Sequence, residues 1–218
     1  MARVQYLLVQ GGGGGQGGGS IISHRHILTS AFALNSDFTV LNIWIGGVTR
    51  ASQRSVWSQR RIPHINYGQN PRINDIGIIL LNADIVFDRF VQPIALPASV
   101  GPYLNEQAVV LGFGGWPQNT NREHLEAAFL RVVTPVRCNT VFPQHVVAQQ
   151  YCAEDTRMRT DFCSDDIGSP VVTLLRGSEV LVGIASVPRC LANDVPSQPS
   201  LFTRVHAYRA WITAEAGV

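Results

Sequence analysis

Residues 161–170, DFCSDDIGSP, set small and acidic residues just ahead of the β-branched run PVVTLL. A loop of this kind could present a nucleophilic hydroxyl from Ser164 or Ser169, whereas Ile167 between them carries none. Such a nucleophile needs a base to take its proton and an acid to orient that base. Ser164 and Ser169 flank Ile167, and His24 and His26 are the histidines nearest the start of the chain. Strand alternation puts His24 and His26 on one face, which suggests a metal pair or a displaced base. The reading preferred is a solvent-facing pair on a strand. Cys138, Cys152, Cys163 and Cys190 offer two disulfides in any of three pairings. They suit no zinc site, because no C-x-x-C and no histidine at ligand spacing accompanies them.

The elements around these residues are short and β-rich. VQYLLVQ, GSIISHRHILTS, DFTVLNIWIGG, DIGIILLN, EQAVVLGFGG, FLRVVTPV, SPVVTLL and EVLVGIASV are apolar, β-branched runs punctuated by Gly, Pro, Asn or Ser. This spacing predicts an all-β sandwich or barrel. HAYRAWITAEAG, residues 206–217, carries apolar positions at helical spacing and ends at Gly217. A shorter helix is expected near RCNTVFPQH. The tract GGGGGQGGGS, residues 11–20, lies too close to the start to join two domains and reads as a loose hairpin loop.

Bulk properties exclude several classes. The 218 residues are 45% apolar and 15% charged, enough for one substantial core or two small fused ones. The net charge of +2 argues for neither nucleic acid nor membrane. All 17 basic residues are arginine. The longest apolar run, IGIILL, is far short of a membrane span. MARVQYLLVQ lacks the architecture of a secretory leader, so an oxidising, extracellular location is expected from cysteine usage alone. Arg50, Arg54, Arg60 and Arg61 have no acidic residue between them and could bind a heparin-like polyanion, although a solvated loop is the simpler reading.

Taken in order, GGSIISHRHILTSAF, NDIGIILL, CSDDIGSP, GIASVPRC and PSLFTRVHAYRAWI resemble the trypsin/chymotrypsin-like serine proteases, with VQPIALP and GFG as supporting pieces. The resemblance covers essentially the whole chain. It implies one domain over 1–218: two packed six-stranded antiparallel β-barrels, about 1–100 and about 101–218, with a C-terminal helix and a cleft between the barrels. It places Asp75 as the retained family aspartate, while Phe32 occupies the histidine position and Ile167 the serine position. Neither a phenyl ring nor a sec-butyl group transfers a proton or attacks a carbonyl. Loss of either member removes acceleration on the order of 10⁶-fold.

Further departures fall at related positions. Asp165 replaces the glycine whose backbone shapes the oxyanion hole. Asp166 matches the aspartate that receives a newly cleaved N-terminus, but the chain has no R-[IV]-[VI]-G-G segment, so a zymogen-like site is expected. The substrate strand reads Ser186-Val187-Pro188, and Pro188 has no N–H to offer a peptide. Asp161 matches an acidic pocket floor, while Phe162 and Ser200 replace small residues, implying a partly filled pocket. The resemblance also implies the bridges Cys138–Cys152 and Cys163–Cys190. Both ends of a third are absent, at Gly17 and Ala33, so a looser first barrel is expected.

The expectation is therefore a secreted, non-catalytic homologue that binds a protein partner as a regulator, cofactor or decoy in a proteolytic pathway. It would need no cofactor or metal. The alternatives are a weakly active endopeptidase of trypsin-like specificity, or a truncated product that folds poorly.

Overall fold

The computed structural model describes residues 1–8, 14–35, 38–69, 72–98, 107–114, 122–155, 162–175, 177–189 and 198–218. The first half contributes β1 (Ala2–Leu8), β2 (Gly14–Ile21), β3 (His26–Thr29), β4 (Phe38–Ile45), β5 (Arg54–Ser58), β6 (Arg60–Pro63), β7 (Gly68–Gln69), β8 (Arg72–Ile73) and β9 (Gly77–Leu80). β7 and β8 form a small ribbon, and the others form one sheet in the order β5-β4-β1-β2-β3-β9-β6. The second half contributes β10 (Gln107–Gly112), β11 (Glu126–Val132), β12 (Gln150–Glu154), β13 (Pro170–Leu175), β14 (Ser178–Val187) and β15 (Ser200–Arg204). These close into a barrel in the order β10-β11-β12-β15-β14-β13.

The first half departs from the expected six-stranded barrel. Its sheet has seven strands and two edges, β5 and β6. Only Gln59 separates those edges in sequence. The Ser58 hydroxyl lies 2.6 Å from the Leu80 carbonyl of β9 and 3.0 Å from the Arg60 carbonyl. A chain corner and a buried side chain therefore bring the edges together where a backbone ladder would otherwise close the barrel.

The apolar strand runs are explained by burial on both faces. On β3, Ile27 faces the core of the first sheet, with Ile43, Ile45 and Ile79. Its neighbour Leu28 joins Ile78, Leu181, Ile184, Tyr208 and Ile212 between the two halves. β9 divides in the same way, Ile79 inward and Ile78 outward. The C-terminal helix, α3 (Arg209–Ala216), closes that shared layer through Ile212.

Three short helices complete the fold: α1 (Ala31–Leu34), α2 (Pro135–Asn139) and α3 (Arg209–Ala216). Ser30 caps α1, its hydroxyl accepting the Phe32 N–H at 3.1 Å. α2 starts two residues ahead of the segment expected to be helical and overlaps only its beginning, with Thr134 as N-cap. α3 stops at Gly217, which takes the left-handed conformation at φ 70° and donates to the Thr213 carbonyl at 2.9 Å.

The glycine tract is not a loose loop. Gly14–Ile21 is β2, paired with both β1 and β3 at the centre of the sheet; residues 11–13 lie outside the described ones. The glycines permit close approach to the loop around Ile167. The Gly18 N–H donates to the Ile167 carbonyl at 2.9 Å, and the Gly18 carbonyl accepts from the Thr29 hydroxyl at 2.7 Å. A Cβ on Gly17 would lie 2.5 Å from the Ile167 carbonyl oxygen, and one on Gly18 2.5 Å from Ser169 Cα. Sequence reading treated the missing side chains as a lack of packing, whereas here their absence is the packing. Gly18→Ala should therefore lower unfolding stability by about 1–3 kcal/mol, read from denaturant melts; an unchanged midpoint would contradict the close approach.

Candidate active site

Asp75 is fully buried at the entry to β9. Its neighbour Asn74 sets the chain direction there with φ 55°. That residue accepts from the Tyr208 hydroxyl at 3.0 Å and from Gln149 Nε2 at 3.2 Å, while its own amide donates to the Asn66 carbonyl at 2.7 Å. An unfavoured backbone conformation persists where its surroundings over-determine it. The Asp75 carboxylate then meets both halves of the fold. Oδ1 accepts from the Ser30 hydroxyl at 2.5 Å and the Phe32 N–H at 2.8 Å, and Oδ2 accepts from the Ser186 hydroxyl at 2.5 Å. The Thr203 hydroxyl donates to the Asp75 carbonyl at 2.9 Å.

Burial pushes the Asp75 pKa above its ordinary value, opposed by hydrogen bonds from Ser186, Ser30 and the Phe32 N–H and by the charge of Arg72. The Phe32 side chain leaves this group and is 37% exposed. The Arg72 guanidinium stacks on its ring, 3.7 Å from the centroid, and Nη1 donates to the Ser186 carbonyl at 2.6 Å. A cation thus covers the aromatic ring beside the buried aspartate.

Ile167 is buried at the end of a tight 3-10 turn, Ser164–Asp166. The Asp166 N–H bonds back to the Cys163 carbonyl at 2.9 Å, and the Ile167 N–H to the Ser164 carbonyl at 3.3 Å. Both N–H groups are directed into the turn. The Asp166 carboxylate is buried and accepts from the Gly114 N–H at 2.7 Å and the Cys163 N–H at 3.2 Å. Burial raises its pKa, and these two bonds oppose the shift. Glycines at 112 and 114 make room, since a Cβ on either would meet the Asp166 carboxylate.

Of the remaining expected residues, Val187 and Ser200 are brought together, because β14 pairs Val187 with Leu201 of β15. Phe162 is buried in the second barrel, its ring centroid 5.1 Å from that of Phe202. Ser200 is buried on β15 and accepts the Arg189 N–H at 3.0 Å. Val187 packs against Cys138, Cys152 and Leu201, and Pro188 is half-buried. Asp161 and Cys190 lie outside the described residues. The Cys138–Cys152 disulfide is present, with Cα atoms 5.5 Å apart, and Cys163 is also disulfide-bonded.

Two expectations about side chains are corrected. His24 and His26 do not share a strand face, because a turn at residues 23–25 separates β2 from β3. His24 Nδ1 lies 2.8 Å from the Ile85 carbonyl and its ring stacks on Phe87, while His26 Nδ1 meets the Ser23 hydroxyl at 2.8 Å. Arg50 leaves the expected arginine cluster, while Arg54 and Arg60 stay exposed. Arg50 reaches inward to the Arg122 and Phe113 carbonyls and to Gln16, and Arg54 donates to the Val86 carbonyl. Ser164 is exposed and Ser169 is buried against Gly18.

Ser30, Arg72 and Asn74 are site residues that the sequence reading passed over. Ser30 carried a signal, as an N-cap residue before AFAL. Arg72 carried none, because its partner Ser186 lies 114 positions away.

A closed barrel joined to a half-barrel, with an aspartate buried at their junction, defines a protein of serine-protease architecture. The family model described as Trypsin matches residues 4–212, and the chain belongs to that family. Trypsin-2 of Salmo salar is 29% identical over 77% of this chain and 70% of its own length. Collagenase of Hypoderma lineatum is 28% identical over 91% of this chain and 75% of its own length. A solved HL collagenase structure superposes with a TM-score of 0.85 at 26% identity, covering all of this chain and 93% of that one.

The raised pKa of Asp75 has a consequence in solution. The folded state holds this proton more tightly than the unfolded chain, so its stability rises as pH falls through the raised value toward the ordinary 3.8, then levels off. Asp75→Asn removes that dependence. Wild type should therefore gain stability relative to Asp75→Asn on acidification from about pH 7 to about pH 4, measured by denaturant melts at each pH. Parallel pH profiles would contradict it.

Proposed function

We propose that this chain is a non-catalytic member of the trypsin family that acts by binding a protein partner outside the cell, as a regulator, cofactor or decoy in a proteolytic pathway. The observation that carries the reading is the identity of two residues at the junction of the halves. The residue whose N–H meets Asp75 is a phenylalanine, and the residue at the corner of the loop is a buried isoleucine. The first can accept no proton and the second has no nucleophilic atom. The inward-turned N–H of Ile167 supports the same reading, because an oxyanion needs donors free to face it. The disulfides support an oxidising location.

Hydrolysis of arginyl and aromatic peptide esters by the purified, disulfide-intact protein tests this directly. The expected rate equals the buffer blank, with a cooperative thermal melt confirming that the sample is folded. Turnover that disappears in Ser164→Ala or Ser169→Ala would overturn the reading and identify a displaced nucleophile. Absence of a melt would favour the poorly folding product instead.

A further inference from the structure

We propose that Arg72 is a resident occupant of the junction beside the Ser186 carbonyl, a side chain of this chain that keeps an extended main chain from another molecule off that carbonyl. Several independent contacts converge on Arg72. Its backbone is fixed by the β7–β8 ribbon, where Gln69 pairs with Arg72, and by Gln150, whose Nε2 donates to the Arg72 carbonyl at 2.9 Å. Its side chain crosses from the first half of the fold to the second. The planar guanidinium lies face-on to Phe32 at 3.7 Å and donates to the Ser186 carbonyl at 2.6 Å. Planarity lets one group stack and hydrogen-bond at the same time, which an ammonium cannot match.

Ser186 has this carbonyl to offer because of a strand irregularity. The pairing of β14 with β15 shifts register between Ala185 and Val187, so Ser186 is left out of the ladder. Its hydroxyl turns to Asp75 and its carbonyl to Arg72. A carbonyl left out at a bulge is a natural partner for the N–H of an added extended segment. Arg72 supplies that donor from within the chain and covers the neighbouring ring as well. The positive charge also acts favourably on buried Asp75. The occupancy is stable because stacking, a charge-assisted hydrogen bond and this attraction all favour the same position.

The inference rests on the non-catalytic reading, since a guanidinium clamped at this position leaves no room for a peptide during turnover. It can nevertheless fail separately from that reading. Two fluorescein-labelled tetrapeptide amides, one ending in arginine and one in phenylalanine, would be titrated against wild type, Arg72→Ala and Arg72→Lys, with ester hydrolysis followed in parallel. Arg72→Ala is expected to bind at least one peptide about tenfold or more tighter than wild type, with Arg72→Lys between them. Equal affinities for wild type and Arg72→Ala would overturn the occupancy, whatever the hydrolysis shows.

Should Arg72→Ala fail to fold, modification by phenylglyoxal keeps the idea testable. In wild type, Arg72 should react about tenfold or more slowly than exposed Arg60, and Phe32→Ala should raise its rate toward that of Arg60. Equal rates for Arg72 and Arg60 in wild type would overturn the clamp itself.

Discussion

The fold is organised around a carboxylate removed from water. Asp75 belongs to the first half of the chain by sequence, and Ser30 and Phe32 approach it from the same half. Ser186 and Thr203 approach from the second barrel, one at the carboxylate and one at the backbone. A buried carboxylate is costly unless its oxygens are satisfied, and here the donors come from both sides of the junction. The aspartate therefore ties the two halves together. Asp75 thus has a structural task that is separate from any chemistry at the site.

The second constraint is the approach of two backbones between Gly17–Gly18 and the turn that ends at Ile167. The Ile167 carbonyl is held by the Gly18 N–H, and Gly168 takes φ 89° beside Thr29 and the Gly18 carbonyl. The shape of the loop is fixed by these main-chain contacts and by buried Asp166, whose partners are the N–H groups of Gly114 and Cys163. None of these contacts uses the side chain of residue 167. A loop can thus keep its path while its corner residue changes from a reactive to an inert one, which is the physical basis for separating the fold from the chemistry it commonly carries.

Much of this was legible in the sequence, for identifiable reasons. Short β-branched runs marked most of the strands, and Gly217 marked the end of α3 at the residue where the chain turns left-handed. The Cys138–Cys152 bridge followed from the resemblance to the family. Two of the errors arise from contacts distant along the chain and one from a local turn. The glycine tract read as a loop because its partner, the turn ending at Ile167, lies about 150 positions away. The histidines read as a strand pair because the Ser23 turn, in which the Ser23 hydroxyl accepts the Arg25 N–H at 3.2 Å, was not recognised. Arg50 read as a surface charge because its acceptors at Phe113 and Arg122 come from the second half. Periodicity reports which face of a strand is apolar and is silent about where a long polar side chain ends.

The central claim is that the junction of the two halves holds buried polar contacts but no activated nucleophile. Intact mass spectrometry of the folded protein after prolonged exposure to a fluorophosphonate tests that claim most directly, since the reagent reads an activated hydroxyl without requiring a correct substrate. The account predicts an unchanged mass. A stoichiometric adduct mapped to a serine of residues 162–175 would contradict it and require a different arrangement of base and nucleophile around Asp75.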